Sequence, residues 1–99
     1  MRLSPEQIQT IKQVGQNILG QDSRVLVFGS RVSDSMQGGD IDLLFESDQV
    51  VKRPAIAICE IYAALVMKLG EQKIDILIKD PSTPMAPVIQ QALRTGVVL

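Results

Sequence analysis

An alternating run, Asp40-Ile41-Asp42-Leu43-Leu44-Phe45, precedes a long apolar helical segment, Pro54 to Leu69. A second alternating run follows, Ile74-Asp75-Ile76-Leu77-Ile78. Two strands separated by a helix of that length call for a crossover, and a crossover makes them parallel neighbours. Side chains alternate between the two faces of a strand. Ile41, Leu43 and Phe45 therefore share one face with Ile74, Ile76 and Ile78, while Asp40, Asp42 and Asp75 gather on the other. The aliphatic face is expected to bury against helices and the acidic face to carry chemistry.

The remaining elements fit around this unit. Ser4-Pro5-Glu6-Gln7 has the form of a capping box with proline in the first turn. Ile8, Ile11, Val14, Ile18 and Leu19 continue at helical spacing to Gly20. Arg24 to Phe28 reads as a buried strand, and Ser30 to about Met36 as a short helix or turn ended by Gly38-Gly39. Asp80-Pro81-Ser82-Thr83-Pro84 is a loop. A last helix is predicted from about Pro84 to Thr95, with Gly96 as its stop. A short link from Gly29 to Asp40 makes the first two strands antiparallel. The expectation is one domain over residues 1–99, of α+β class, with a small mixed sheet and helices packed on one face.

Composition excludes several kinds of function. The 99 residues carry 10 basic and 11 acidic side chains and no histidine or tryptophan. A near-neutral chain lacks the clustered cations of a nucleic-acid coat, and two Phe and one Tyr supply little for base stacking. Without histidine there is no Ser-His triad and no His-based zinc site. The lone Cys59 cannot form an internal disulfide. No apolar run reaches the ~18 residues of a membrane span, and no signal-peptide core is evident. A soluble, cytoplasmic protein is the expectation.

The acids have a chemistry of their own. Aspartate is disfavoured in strands, so Asp40, Asp42 and Asp75 on one face call for a reason. Carboxylates on alternate strand residues stand ~7 Å apart and project in the same direction. Hard cations such as Mg²⁺ take oxygen ligands and keep room for water and phosphate oxygens. Gly29 lets backbone approach an anion closely, and Ser30 supplies a hydroxyl near a helix start. Arg31 can add a charge-assisted contact. No Gly-Lys-Ser/Thr occurs, so this is not a P-loop.

Gly29-Ser30, a gap, Asp40-Ile41-Asp42 and a later strand aspartate, Asp75, resemble the signature of the DNA polymerase beta-like nucleotidyltransferase superfamily. The resemblance is to its minimal members and spans roughly Arg24 to Leu99 with a leading helix. It implies a palm-like fold, Mg²⁺ (or Mn²⁺), and a nucleoside triphosphate, with ATP as the expected substrate. It assigns Asp40, Asp42 and Asp75 to metal binding and catalysis, and Gly29, Ser30 and Arg31 to the triphosphate. Many minimal members act as antitoxins beside a helical HEPN-type partner, and some transfer AMP onto that partner. Minimal members often continue Gly-Ser-Arg with a small residue, a second Arg and a Gly. Here Val32-Ser33-Asp34 follows, which removes a cation and adds an acid. Two functions stay open: an AMP-transferring enzyme, and an interaction module with vestigial chemistry.

The Pro54–Leu69 segment is apolar nearly all round. Such a helix is buried on more than one side, in the core alone or also against a partner or second copy. Cys59 reads as a small core residue. The apolar tail Val97-Val98-Leu99 adds weight to a partner surface.

Overall fold

The computed structural model describes residues 3–29, 40–70 and 72–99. Among these, the element order is α1 (Pro5–Leu19), β1 (Arg24–Phe28), β2 (Ile41–Glu46), α2 (Pro54–Leu69), β3 (Ile74–Lys79), α3 (Pro87–Thr95) and β4 (Val97–Val98). The fold is α+β, with one mixed sheet in the order β3-β2-β1-β4. β1 pairs antiparallel with β2, and β2 pairs parallel with β3. Both directions are those the connection lengths require. No helix of the described residues is long and apolar enough to cross a membrane.

α1 begins where its capping box forms. Ser4 Oγ accepts from the Gln7 N–H at 3.1 Å, and Gln7 Oε1 accepts from the Ser4 N–H at 2.8 Å. Such a cap contributes about 1 kcal/mol. The helix then lays Ile11 and Val14 on the sheet. Gly15 brings its backbone against Phe45, because a Cβ there would lie 2.8 Å from the ring.

The larger core lies on this face. Val25, Val27, Ile41, Leu43, Phe45 and Ile74 from the sheet meet Ile11 and Val14 of α1 and Ile61 and Leu65 of α2. Burying one such aliphatic side chain is worth roughly 1.5–3 kcal/mol.

Helices do not pack on one face only. Leu26, Leu44, Ile89 and Ala92 form a second buried cluster, with Phe28, Leu77 and Leu93 packed against it. α3 therefore covers the face that carries the acids. The reason is visible in the register. Leu26 pairs with Leu44, and Leu44 with Leu77, so one row of that face is wholly leucine. A leucine row is too costly to leave in water.

Three other expectations change. α3 starts at Pro87 rather than near Pro84, with Ala86 extended at ψ 155°. A residue before proline is pushed out of the helical region, and Pro87 then takes the first helical position. Val97-Val98 is a strand on β1, and the Leu99 N–H donates to the Val25 carbonyl at 2.9 Å. Val97 and Leu99 pack against the larger core, so the tail is mostly spent inside the fold. Cys59 is exposed, because the buried stripe of α2 runs through Ala57, Ile61 and Leu65.

Candidate functional site

The acid-bearing face has three rows across the central strands. Arg24, Glu46 and Lys79 form the first, with Glu46 between the two cations. The leucine row beneath α3 is the second. Phe28, Asp42 and Asp75 form the third, at the start of β2 and β3 and the end of β1. The parallel register makes Asp42 and Asp75 direct neighbours on one face.

Gly29 follows Phe28 and turns the chain against this row. Its φ is +76°, and a Cβ on it would collide with Asp42 Oδ2. The position needs glycine twice over, for its left-handed backbone and for its missing side chain. Gly29 and Asp42 are thus in immediate contact.

Asp40 lies just ahead of β2, half-buried, with its carboxylate 3.6 Å from Lys73 Nζ. The Lys73 ammonium is mostly exposed, so solvent screens this pair heavily. Its backbone matters more: the Lys73 carbonyl accepts from the Ile41 N–H at 2.9 Å, which fixes the register at this end of the sheet.

The Asp42 carboxyl holds its proton above the ordinary 3.8. Burial is the largest cause, followed by the hydrogen bond to Asp75 and the negative charges of Asp75 and Asp40; Lys73 opposes them. Carboxylates side by side repel one another unless a proton or a cation lies between. The donor set is all oxygen, which suits Mg²⁺ or Mn²⁺ and not zinc. Among the described residues no group of three His, Cys, Asp or Glu is disposed to hold a metal ion. The fit is therefore to a pair, Asp42 and Asp75, with the other positions left to water and ligand oxygens.

The structure brings together Gly29, Asp40, Asp42 and Asp75 of the residues singled out from sequence. Ser30 and Arg31 lie outside the described residues, as do the expected helix or turn to Met36 and Gly38-Gly39. Lys73 was not singled out, although a lysine two residues before a strand acid, across a parallel register, is placed to meet Asp40. Asp80 was read only as loop. It is 4% exposed, and its carboxylate accepts from the Val51 N–H at 2.7 Å, from the Ser82 N–H and hydroxyl, and from the Thr83 hydroxyl. These bonds lower its proton affinity to a pKa of about 2. Asp-Pro-Ser-Thr carries the turn chemistry that signals this knot. It ties the loop after β3 to the loop before α2, away from the acid row.

A concavity of about 420 Å³ lies at the other end of β2, lined by Ile18, Leu19, Ser47, Lys52, Arg53 and Glu60 among others. No member of the acid row borders it.

No protein-family model matches the sequence, and no curated protein matches it.

Proposed function

We propose that this protein is a nucleotidyltransferase that moves a nucleoside monophosphate, AMP from ATP, to an acceptor hydroxyl. The observation that carries the reading is the Asp42–Asp75 pair, side by side across parallel strands with Gly29 packed on Asp42. These carboxylates would hold a Mg²⁺ or Mn²⁺ ion, which would supply charge neutralisation for the triphosphate and for the departing pyrophosphate.

The chain's own groups do the rest. Gly29, with Ser30 and Arg31 after it, positions the phosphates by close backbone approach, hydroxyl and guanidinium. The acceptor oxygen bonds to the α-phosphorus, and the bond from that phosphorus to the bridging oxygen of pyrophosphate breaks. The acceptor's proton passes to a carboxylate of the row, with Asp75 the exposed member. Asp40 keeps the local potential negative, which draws positive charge, proton or cation, to Asp42.

The exposed outer side of α2 favours a second reading, a module that works by binding a helical partner of the HEPN type. Ile56 is 50% exposed, Tyr62 44% and Met67 87%. One experiment separates the readings. The protein is incubated with Mg²⁺ and ATP labelled at the α-phosphate, with and without a candidate partner. Transfer of label that disappears in Asp42→Asn and Asp75→Asn supports the enzyme. Absence of transfer, with partner inhibition intact in both variants, supports the binding module and ends the catalytic reading.

A further inference from the structure

β3 is an outer strand of the sheet, and its free edge is as informative as its paired one. The Lys73 and Lys79 carbonyls accept from the Ile41 and Ser47 N–H groups of the β2 side. Amide groups alternate sides along a parallel ladder. The N–H and C=O groups of Ile74, Ile76 and Ile78 therefore point away from β2, and among the described residues no strand pairs with them. Natural proteins blunt such edges with proline, bulges or inward charges. Here no proline or bulge interrupts Ile74 to Ile78, and the edge's charges are Asp75 within it and Lys73 and Lys79 at its ends.

The flank beside this edge is part apolar and part polar. Tyr62 and Val66 of α2, with Gln72 and Lys73, border a groove of about 370 Å³ between the helix and the start of β3. A partner strand added to β3 would meet this flank too. A strand edge alone falls short of the roughly 800 Å² per subunit that a stable association buries, and the helix flank supplies further area.

We propose that β3 pairs antiparallel with β3 of a second copy, forming a symmetric dimer with one continuous sheet. The charge pattern selects both the occupant and the register. Outward-facing residues must pair with outward-facing residues. Setting Ile74 against the partner's Ile76 places Asp75 opposite the partner's Asp75, and like charges there repel. Setting Ile76 against the partner's Ile76 places Lys73 opposite the partner's Lys79. Setting Ile76 against the partner's Ile78 removes both conflicts. Asp75 then faces the partner's Lys79 twice over, and Leu77 meets the partner's Leu77 on the two-fold axis. Directly opposed side chains sit about 4.5–5.5 Å apart at Cβ, within reach of an ion pair. Each subunit so lends a cation to the carboxylate row of the other.

The inference concerns assembly and does not rest on nucleotide transfer, although it shares Asp75 with the proposed cation site. The test is solution mass, by light scattering on a sizing column and by sedimentation. The wild-type protein is expected to be dimeric at micromolar concentration. Lys79→Glu should weaken the dimer about tenfold or more. Lys79→Glu also breaks the contact with Glu46 of its own chain, so Asp75→Lys/Lys79→Glu is the control. It restores only the pair between subunits and should restore the dimer. In a Cys59→Ser background, Leu77→Cys should oxidise to a disulfide-linked dimer and Ile76→Cys should not. A monomeric wild type, a dimer indifferent to Lys79→Glu, or cross-linking through Ile76→Cys instead would overturn the proposal.

Discussion

Asp42 and Asp75 stand side by side in the register of two parallel strands, with Gly29 packed on Asp42. The pair is strained electrostatically whenever both ionise. Asp42 is the member whose proton affinity is raised, chiefly by burial and then by Asp75. A raised carboxyl stabilises the fold below its ordinary pKa of 3.8, and that contribution is lost as pH rises through the raised value. At neutral pH Asp42 is therefore a liability to the cation-free protein. Asp42→Asn should raise its melting temperature at pH 7, and the gain should shrink as pH falls toward 4. Thermal melts across that range, in chelator, check both. The same substitution should cut nucleotide transfer by on the order of 10²- to 10³-fold, because it weakens charge stabilisation at the reacting phosphate.

If the acid pair holds a divalent cation, that cation stabilises the folded state by mass action. At ten times the dissociation constant the gain is about 1.4 kcal/mol. Mg²⁺ or Mn²⁺ should raise the melting temperature of the wild type and leave Asp42→Asn/Asp75→Asn unmoved; chelator should reverse the effect. Equal shifts in both proteins would assign the cation to some other surface.

The pairing of Asp42 with Asp75 was legible in the sequence because two strong periodicities bracket a helix. Period-two alternation fixes the faces, and the crossover fixes the direction. What alternation hid was the second layer. Leu44 and Leu77 share the aspartates' face, and only the lateral register with Leu26 reveals that they form a row needing α3. Two-residue β4 is too short to have a period at all. On α2, nearly every position is apolar, so composition could not tell which stripe is buried. Geometry chose Ala57, Ile61 and Leu65 and left Cys59 outside. Pro84 and Pro87 each suit a helix start, and the extended Ala86 decides for the second.

Gly29 joins the turn to the acid row through an absence of atoms. With φ at +76° and Asp42 Oδ2 where a Cβ would stand, Gly29→Ala must shift either the turn or the carboxylate. The backbone cost alone is of order 1–3 kcal/mol. Displacement of Asp42 should also blunt the cation-dependent rise in melting temperature. Gly20 is the control, since its φ is +108° but nothing lies within 4 Å of a Cβ there. Gly20→Ala should lose stability and keep the full cation response.

Asp80 supplies the opposite pH signature to Asp42. Its carboxylate gathers two backbone N–H groups and two hydroxyls, and its pKa falls to about 2. A depressed carboxyl contributes stability above its ordinary 3.8 that is lost as pH falls through the folded value. Acid unfolding should therefore steepen between about pH 4 and 2 in the wild type. Asp80→Asn should flatten that segment and lower stability at neutral pH, while Ser82→Ala, which removes one hydroxyl donor, should do less of both. Chemical denaturation at a series of pH values measures the slope.

The Gly15 backbone of α1 lies directly against the Phe45 ring in the larger core. Phe45 is fully buried, so its ring cannot swing into solvent to admit a methyl group 2.8 Å away. Gly15→Ala gains about 1 kcal/mol of helix propensity. Overpacking costs about 1–3 kcal/mol. The cost should prevail, giving a modest net loss. Phe45→Leu alone should also destabilise, by opening space beneath α1. Together the two changes compensate, because the smaller side chain leaves room for the new methyl. The double variant should lose less stability than the sum of the singles, by about 0.5 kcal/mol or more. Additive losses in a urea-denaturation cycle would mean that α1 yields to the methyl without meeting the ring.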